Sequence, residues 1–177
     1  QLAKSLGWQV DVTDECIAHI APVFFPEADK LALCQREFVD RNFSITGYTA
    51  CVLMSHNYEY DRDVLRKIIF SDAPYIGLLG PRKRFDKMLA EFRQQGLTLT
   101  TEQLHRIHSP IGLDIGAEAP DEIAVSIIAE IQARFANRSG GFLKYHSGPI
   151  HQRSATGEVL KQVFLSDEPE QKTATSR

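Results

Sequence analysis

The sequence predicts an α/β fold, a mostly parallel sheet with helices on both faces. Short strand-like segments alternate with amphipathic helical stretches, the order that builds βα units. The segments at 48–54 and 75–79 are nearly continuous in apolar character, as strands covered on both faces are. No internal repeat and no Pro/Gly linker divides the 177 residues, and 43% apolar with 24% charged residues is the balance of a globular domain.

Gln1 to Gly7 reads as the end of a helix, with Leu2 and Leu6 on one face and Gly7 where a C-terminal cap belongs. Residues 8–13 alternate apolar and polar, which predicts a strand, and further strands are predicted at 30–34, 48–54 and 75–79. Val64, Leu65, Ile68 and Ile69 form a helical stripe between the last two. A helix follows over 82–95, with Phe85, Leu89 and Phe92 inward and Gly96 as the stop, then a short helix over 101–108 and a last short strand at 111–113. Pro120 at a first turn, followed by Ile123, Ile127, Ile128 and Ile131, marks the final helix. The domain is expected over 1–140 and a C-terminal extension over 141–177. Residues 166–177 carry no large apolar side chain and read as a disordered tail.

Twenty Lys+Arg against 23 Asp+Glu give a net charge of −3, which argues against nucleic acid as a partner. No apolar run is long enough to span a bilayer, and the N-terminus has no signal pattern, so the expected location is the cytoplasm. Cys16, Cys34 and Cys51 form no CxxC pair. GxSxG, HExxH and GxxxxGK[ST] are all absent, which removes the usual support for hydrolase, zinc-protease and nucleotide-triphosphatase readings.

Ligands of open parallel sheets sit outside the carboxyl ends of the strands. That rule selects Asp14, the Ser55-His56-Asn57 turn, the stretch from Gly77 through Leu78, Leu79, Gly80 and Arg82 to Arg84, and Gly112, Asp114 and Gly116. In the third of these, glycines permit close backbone approach and the next helix offers free N–H groups to an anion. Three cations at that helix start oppose its dipole, a conflict that a bound phosphate relieves. A solvated basic turn is the alternative. Asp14 stands where nucleotide folds hold a ribose hydroxyl, or it is a turn carboxylate. His56 is an acid, base or ligand candidate, or a turn residue. His105 and His108 are spaced to face one metal, but no third ligand lies nearby in sequence, so no metal site is assigned.

A dinucleotide fold opens with a strand and a GxGxxG turn, and the chain contains no GxGxxG. The missing first strand would lie between the strands at 8–13 and 48–54. Residues ahead of Gln1 in the natural protein are therefore expected to carry that strand and its glycine turn.

From Ser55-His56-Asn57 onward the chain resembles the C-terminal domain of the XdhC/CoxI family, maturation factors of xanthine dehydrogenase and carbon monoxide dehydrogenase. The stretches that carry the likeness are APYIGLLGPRKR from Ala73 and IHSPIGLDIGA from Ile107, running into PDEIAVSIIAEI from Pro120. Gly7-Trp8 through Asp14 is similar to the domain's second strand, so the likeness covers about residues 1–140. The resemblance implies a Rossmann-like, doubly wound domain in a protein that handles molybdenum cofactor (molybdopterin). Such proteins bind the cofactor, assist its sulfuration with a cysteine desulfurase and pass it to a xanthine dehydrogenase-type apoenzyme. The expected role is a cofactor-insertion chaperone rather than a catalyst, with a homodimer as a candidate assembly. An NAD(P)-dependent oxidoreductase and a pure protein-interaction domain are the alternatives.

Overall fold

The computed structural model describes residues 1–148 and 150, and the tail expected at 166–177 lies outside them. Two compact units divide the chain, Gln1–Gly141 and Phe142–Arg177. In the second, the described part holds a 3-10 turn at Leu143–Tyr145.

The first unit runs α1 (Leu2–Ser5), β1 (Asp11–Asp14), β2 (Lys30–Leu33), α2 (Val39–Asn42), β3 (Ala50–Leu53), α3 (Tyr58–Ile68), β4 (Tyr75–Leu78), α4 (Arg82–Gln94), α5 (Thr101–His105), β5 (Ile107–His108) and α6 (Pro120–Phe135). Every strand pairing is parallel. The strands form two sheets, β1–β2 and β3–β4–β5, and β1 and β3 are not bonded to each other. The parallel, helix-covered architecture is thus present, with a break where the sequence left the centre unpaired.

Helix starts follow local chemistry. Asn57 Oδ1 accepts from the N–H groups of Glu59 and Tyr60 to open α3. Thr100 and Gln103 exchange bonds in a capping box at α5. At α6, Pro120 takes the first position and the Glu122 carboxylate accepts from the Glu118 and Ala119 N–H groups. Alternation along β3 and β4 then sorts the core. Leu53, Ile76 and Leu78 face α3 and α4, where Val64, Leu65, Ile68, Phe85, Met88 and Phe92 are buried. Tyr75 faces Ile127 and Ile131 of α6, with Ala50, Val52 and Trp8 packed beside them. Truncating one such side chain to Ala costs about 2–5 kcal/mol.

The structure corrects the last strand. The strand expected at 111–113 is instead β5 at Ile107–His108, inside the segment expected to be helical through 108. Arg106 causes the change: its guanidinium donates to the carbonyls of Ile69, Ser71 and Ala73, and its own carbonyl accepts from Ile76 N–H. That draws the chain onto the β4 edge directly after α5. Pro110 cannot donate to a ladder, and Gly112 at φ 102° leaves the strand region. The first strand is also shifted, to Asp11–Asp14, so Asp14 lies within β1 rather than after it.

Candidate functional site

Because β3, β4 and β5 run parallel, the segments after them meet at one edge of their sheet. The β3–α3 turn and the β4–α4 turn are locked together by Asp61, which is 1% exposed. Ser55 Oγ donates to Asp61 Oδ1 at 2.7 Å, and Arg84 Nη2 lies 2.9 Å from Asp61 Oδ2. Arg84 Nη1 also donates to the Leu79 carbonyl. Ser55 and Arg84, both predicted ligand contacts, are thus partners within the protein. Asp61 was missed in the sequence. Its signal was an acid on the buried face of α3, where Val64, Leu65 and Ile68 follow at helical spacing.

The β4–α4 turn has a buried and an exposed half. Gly77 and Leu78 are buried within β4, and a Cβ on Gly77 would sit 2.2 Å from Ile111 Cδ1, so this glycine serves close packing. Leu79 N–H donates to the Leu53 carbonyl. Gly80 then takes φ 120°, a conformation that favours glycine, and turns the chain into α4. Arg82 and Lys83 stand exposed at the helix start. Arg82 Nη1 donates to the Ser109 carbonyl at 3.2 Å and its Nε to Asp86. That contact brings the basic turn against the loop after β5. His56, at φ 59°, is exposed on the neighbouring turn, and Asn57 Oδ1 is committed to the α3 cap.

The loop after β5 is stitched to α6. Gly112 N–H donates to Glu130 Oε2 at 2.7 Å, and Ser126 Oγ donates to the Leu113 carbonyl at 2.6 Å. Glu130 also accepts from Tyr75 Oη at 2.6 Å and bonds His108 Nδ1 at 2.9 Å. Burial acts to raise the Glu130 pKa, but the bonds from Tyr75, Gly112 and His108 outweigh it and hold the carboxyl below the usual range. Burial, with Glu130 beside it, pushes the Tyr75 hydroxyl far up, so it remains a donor. His108 is committed to Glu130 and His105 is exposed; among the described residues no three ligating side chains cluster for a metal. Asp114 and Gly116 lie exposed farther along the loop.

Asp14 belongs to the other sheet. Its Oδ1 accepts from Cys16 N–H at 2.7 Å and pairs with His19 Nδ1 at 3.2 Å, the pattern of a turn carboxylate. The structure therefore brings together the turns at 55–57, 77–84 and 109–116 and leaves Asp14 across the break between the sheets. A groove of about 630 Å³ opens at that break, lined by β1, β3, α3 and α6. Cys51 lines it, and burial pushes its thiol up to about 11.

Parallel strands with helices on both faces, and polar turns gathered at the carboxyl ends, define a Rossmann-type α/β domain. The chain belongs to the XdhC family, whose Rossmann-domain model matches residues 1–131. It is 35% identical over 130 residues to a protein of Bacillus subtilis (strain 168) named as a probable xanthine dehydrogenase subunit, a match covering 73% of this chain and 37% of that protein. It is 32% identical over 169 residues to protein YqeB of Escherichia coli (strain K12), covering 93% of this chain and 31% of that one. A crystal structure described as a xanthine dehydrogenase from Bacillus halodurans superposes with a TM-score of 0.65 at 28% identity, over 77% of this chain and 39% of that one. The chain spans less than two fifths of the length of each of these relatives. Among the described residues no helix is long and apolar enough to cross a membrane.

Proposed function

We propose that this domain serves the maturation of a xanthine dehydrogenase-type molybdoenzyme by holding the phosphate-bearing molybdopterin of molybdenum cofactor across the carboxyl ends of β3, β4 and β5. The observation that carries the reading is the α4 start. Gly80 turns the backbone there, Arg82 is tethered to the Ser109 carbonyl, and exposed Lys83 has no ion-pair partner among the described residues. The first N–H groups of α4 lie between those cations, a setting that suits a phosphate. The residues present fit the phosphate end of the cofactor on these grounds.

Each neighbouring residue has a definite part. Arg82 offers a planar fork for two phosphate oxygens, and Lys83 adds a point charge. Arg84 is held by Asp61 and Leu79, so it fixes the shape of the turn, its charge neutralised by the Asp61 carboxylate. The Gly112–Gly116 stretch, anchored by Glu130 and Ser126, forms the exposed ledge on which the ring system would rest, with His56 and Asn57 at its side. When bound, the cofactor supplies the molybdenum centre that the target enzyme uses. The domain's own work is to bind, orient and release it, with a cysteine desulfurase and the apoenzyme as partners, in the cytoplasm.

Names of relatives that carry xanthine dehydrogenase support this reading over a nicotinamide-dependent oxidoreductase. Asp14 also weighs against the latter, because the oxygen it would offer a ribose already serves Cys16 and His19. Anaerobic purification followed by mass spectrometry and metal analysis tests the proposal. Released pterin with molybdenum supports it, nicotinamide supports the oxidoreductase, and no small molecule leaves an interaction domain.

A further inference from the structure

Asp114 is an acid that the fold holds still without using. Gly112 N–H donates to Glu130 Oε2 at 2.7 Å, and Leu113 N–H donates to the Ser126 carbonyl at 3.3 Å. The Leu113 carbonyl accepts from Ser126 Oγ at 2.6 Å and from Ile115 N–H at 2.9 Å, the second bond closing a turn around Asp114 itself. The backbone is thus pinned on both sides, yet the exposed carboxylate has no hydrogen-bond or ion-pair partner among the described residues. Asp14, Asp29 and Asp61, by contrast, all serve neighbours in the fold. Beside Asp114, Ile115 is 55% exposed, and at Gly116, φ 72°, a Cβ would meet nothing within 4 Å. Two acceptor oxygens on a fixed backbone therefore stand next to an apolar side chain and open space.

Charge divides along the same loop. From Asp114 to Glu122 the sequence carries Asp114, Glu118, Asp121 and Glu122 and no Lys, Arg or His. Asp121 and Glu122 have work at the start of α6, where acids suit the helix dipole and Glu122 accepts from Glu118 and Ala119 N–H. Asp114 has none. At its other end the loop meets the cationic start of α4, where Arg82 donates to the Ser109 carbonyl. A ligand matched to both ends carries an anion at one and N–H donors at the other.

We infer, resting on the molybdopterin reading above, that the Asp114 carboxylate is the specificity residue of the site: it accepts from the ring N–H and the exocyclic amino group of an aminopyrimidinone edge, while the α4 start takes the phosphate. Two parallel N–H groups meet two carboxylate oxygens there, the fork geometry that makes charged bidentate pairs selective. The pinned turn adds to this, because little ordering of the backbone remains to be done when the ligand arrives. Ile115 supplies apolar surface beside the ring. A lumazine ring, in which oxygen replaces the amino group, turns an acceptor toward the carboxylate and is repelled. Pterin and guanine share the aminopyrimidinone edge, and the pterin is the source expected here.

Wild-type protein and Asp114→Asn are titrated with hydroxymethylpterin, its lumazine counterpart, guanosine monophosphate and inorganic phosphate, with amide shifts as the readout. Wild type should prefer the pterin to the lumazine by more than about tenfold. Asp114→Asn should lose more than about tenfold in pterin affinity and favour the lumazine, because a side-chain amide offers one acceptor and one donor to the lumazine N–H and carbonyl. Phosphate should perturb Gly80, Arg82 and Lys83 equally in the two proteins, and their unfolding midpoints should agree, since the Asp114 carboxylate bonds nothing in the fold. Equal affinities of the two proteins for both the pterin and the nucleotide, with phosphate still bound at α4, would overturn the role of Asp114 and leave the phosphate end standing. Nucleotide binding that depends on Asp114, with the pterin refused, would support the carboxylate's role and overturn the molybdopterin reading. No response of the wild type to any of the four ligands would overturn both.

Discussion

Arg82 and Arg84 are two residues apart, yet the structure gives them opposite roles, and alanine substitution separates them. Arg84→Ala leaves the Asp61 carboxylate, 1% exposed, without its cation, with Ser55 Oγ at 2.7 Å and the Ser55 N–H at 3.4 Å as donors to its Oδ1. Removing one partner of a buried pair costs about 3–5 kcal/mol, because the charge left behind is uncompensated. The Arg84 side chain is 20% exposed, so water enters more readily than at a sealed site, and the lower end, about 3 kcal/mol, is expected. In a chain of this size that lowers Tm by roughly 6–12 °C. Arg82, 64% exposed, with Asp86, one carbonyl and the face of the Phe85 ring as its contacts, should shift stability by less than about 0.5 kcal/mol when replaced. Urea unfolding of both variants reads the difference. Asp61→Leu with Arg84→Met should recover much of the loss, since a pair replaced by apolar groups is close to neutral. Equal stabilities of the two single variants would refute the locking role of Asp61.

Arg82→Ala is expected to weaken binding of molybdopterin about ten- to a hundredfold, the worth of one charged contact, and Lys83→Ala less, as read by titration of the two variants. Glu130→Gln removes a carboxylate that takes three donors, and should cost about 1–3 kcal/mol at pH 7. Because the folded Glu130 pKa is depressed, its contribution is full above the ordinary value of 4.5 and fades as pH falls through the folded value. Unfolding curves of wild type and variant should therefore converge below about pH 4.5 and stay apart above it. Gly112→Ala forces φ 102° on a residue with a Cβ and drives that atom into Ser126 Oγ, so a loss of more than about 2 kcal/mol is expected in urea unfolding, partly recovered by Ser126→Gly.

Much of this domain was legible in residue patterns. β3 and β4 announced themselves as apolar runs, and α4 and α6 by their inward stripes and by Gly96 and Pro120. β5 escaped because two residues carry no period, and its position depends on Arg106 reaching carbonyls more than thirty residues away. The basic turn was visible as a segment, but the division of labour inside it was not. Only folding brings Asp61 to Arg84, and only folding brings Ser109 to Arg82. Glu130 looked like one more helix acid, and its three donors come from β4, β5 and the loop beyond. The break between β1 and β3 was expected from the missing glycine turn, and it is present as two separate sheets.

Amide shift mapping tests the central claim most directly, with isotope-labelled protein titrated anaerobically with molybdopterin. The account predicts that the perturbed amides gather at Gly80, Arg82 and Lys83 and along 109–116, with Asp14 unmoved. Perturbations confined to Asp14 and the β1–β2 sheet, or absent at saturating ligand, would contradict it.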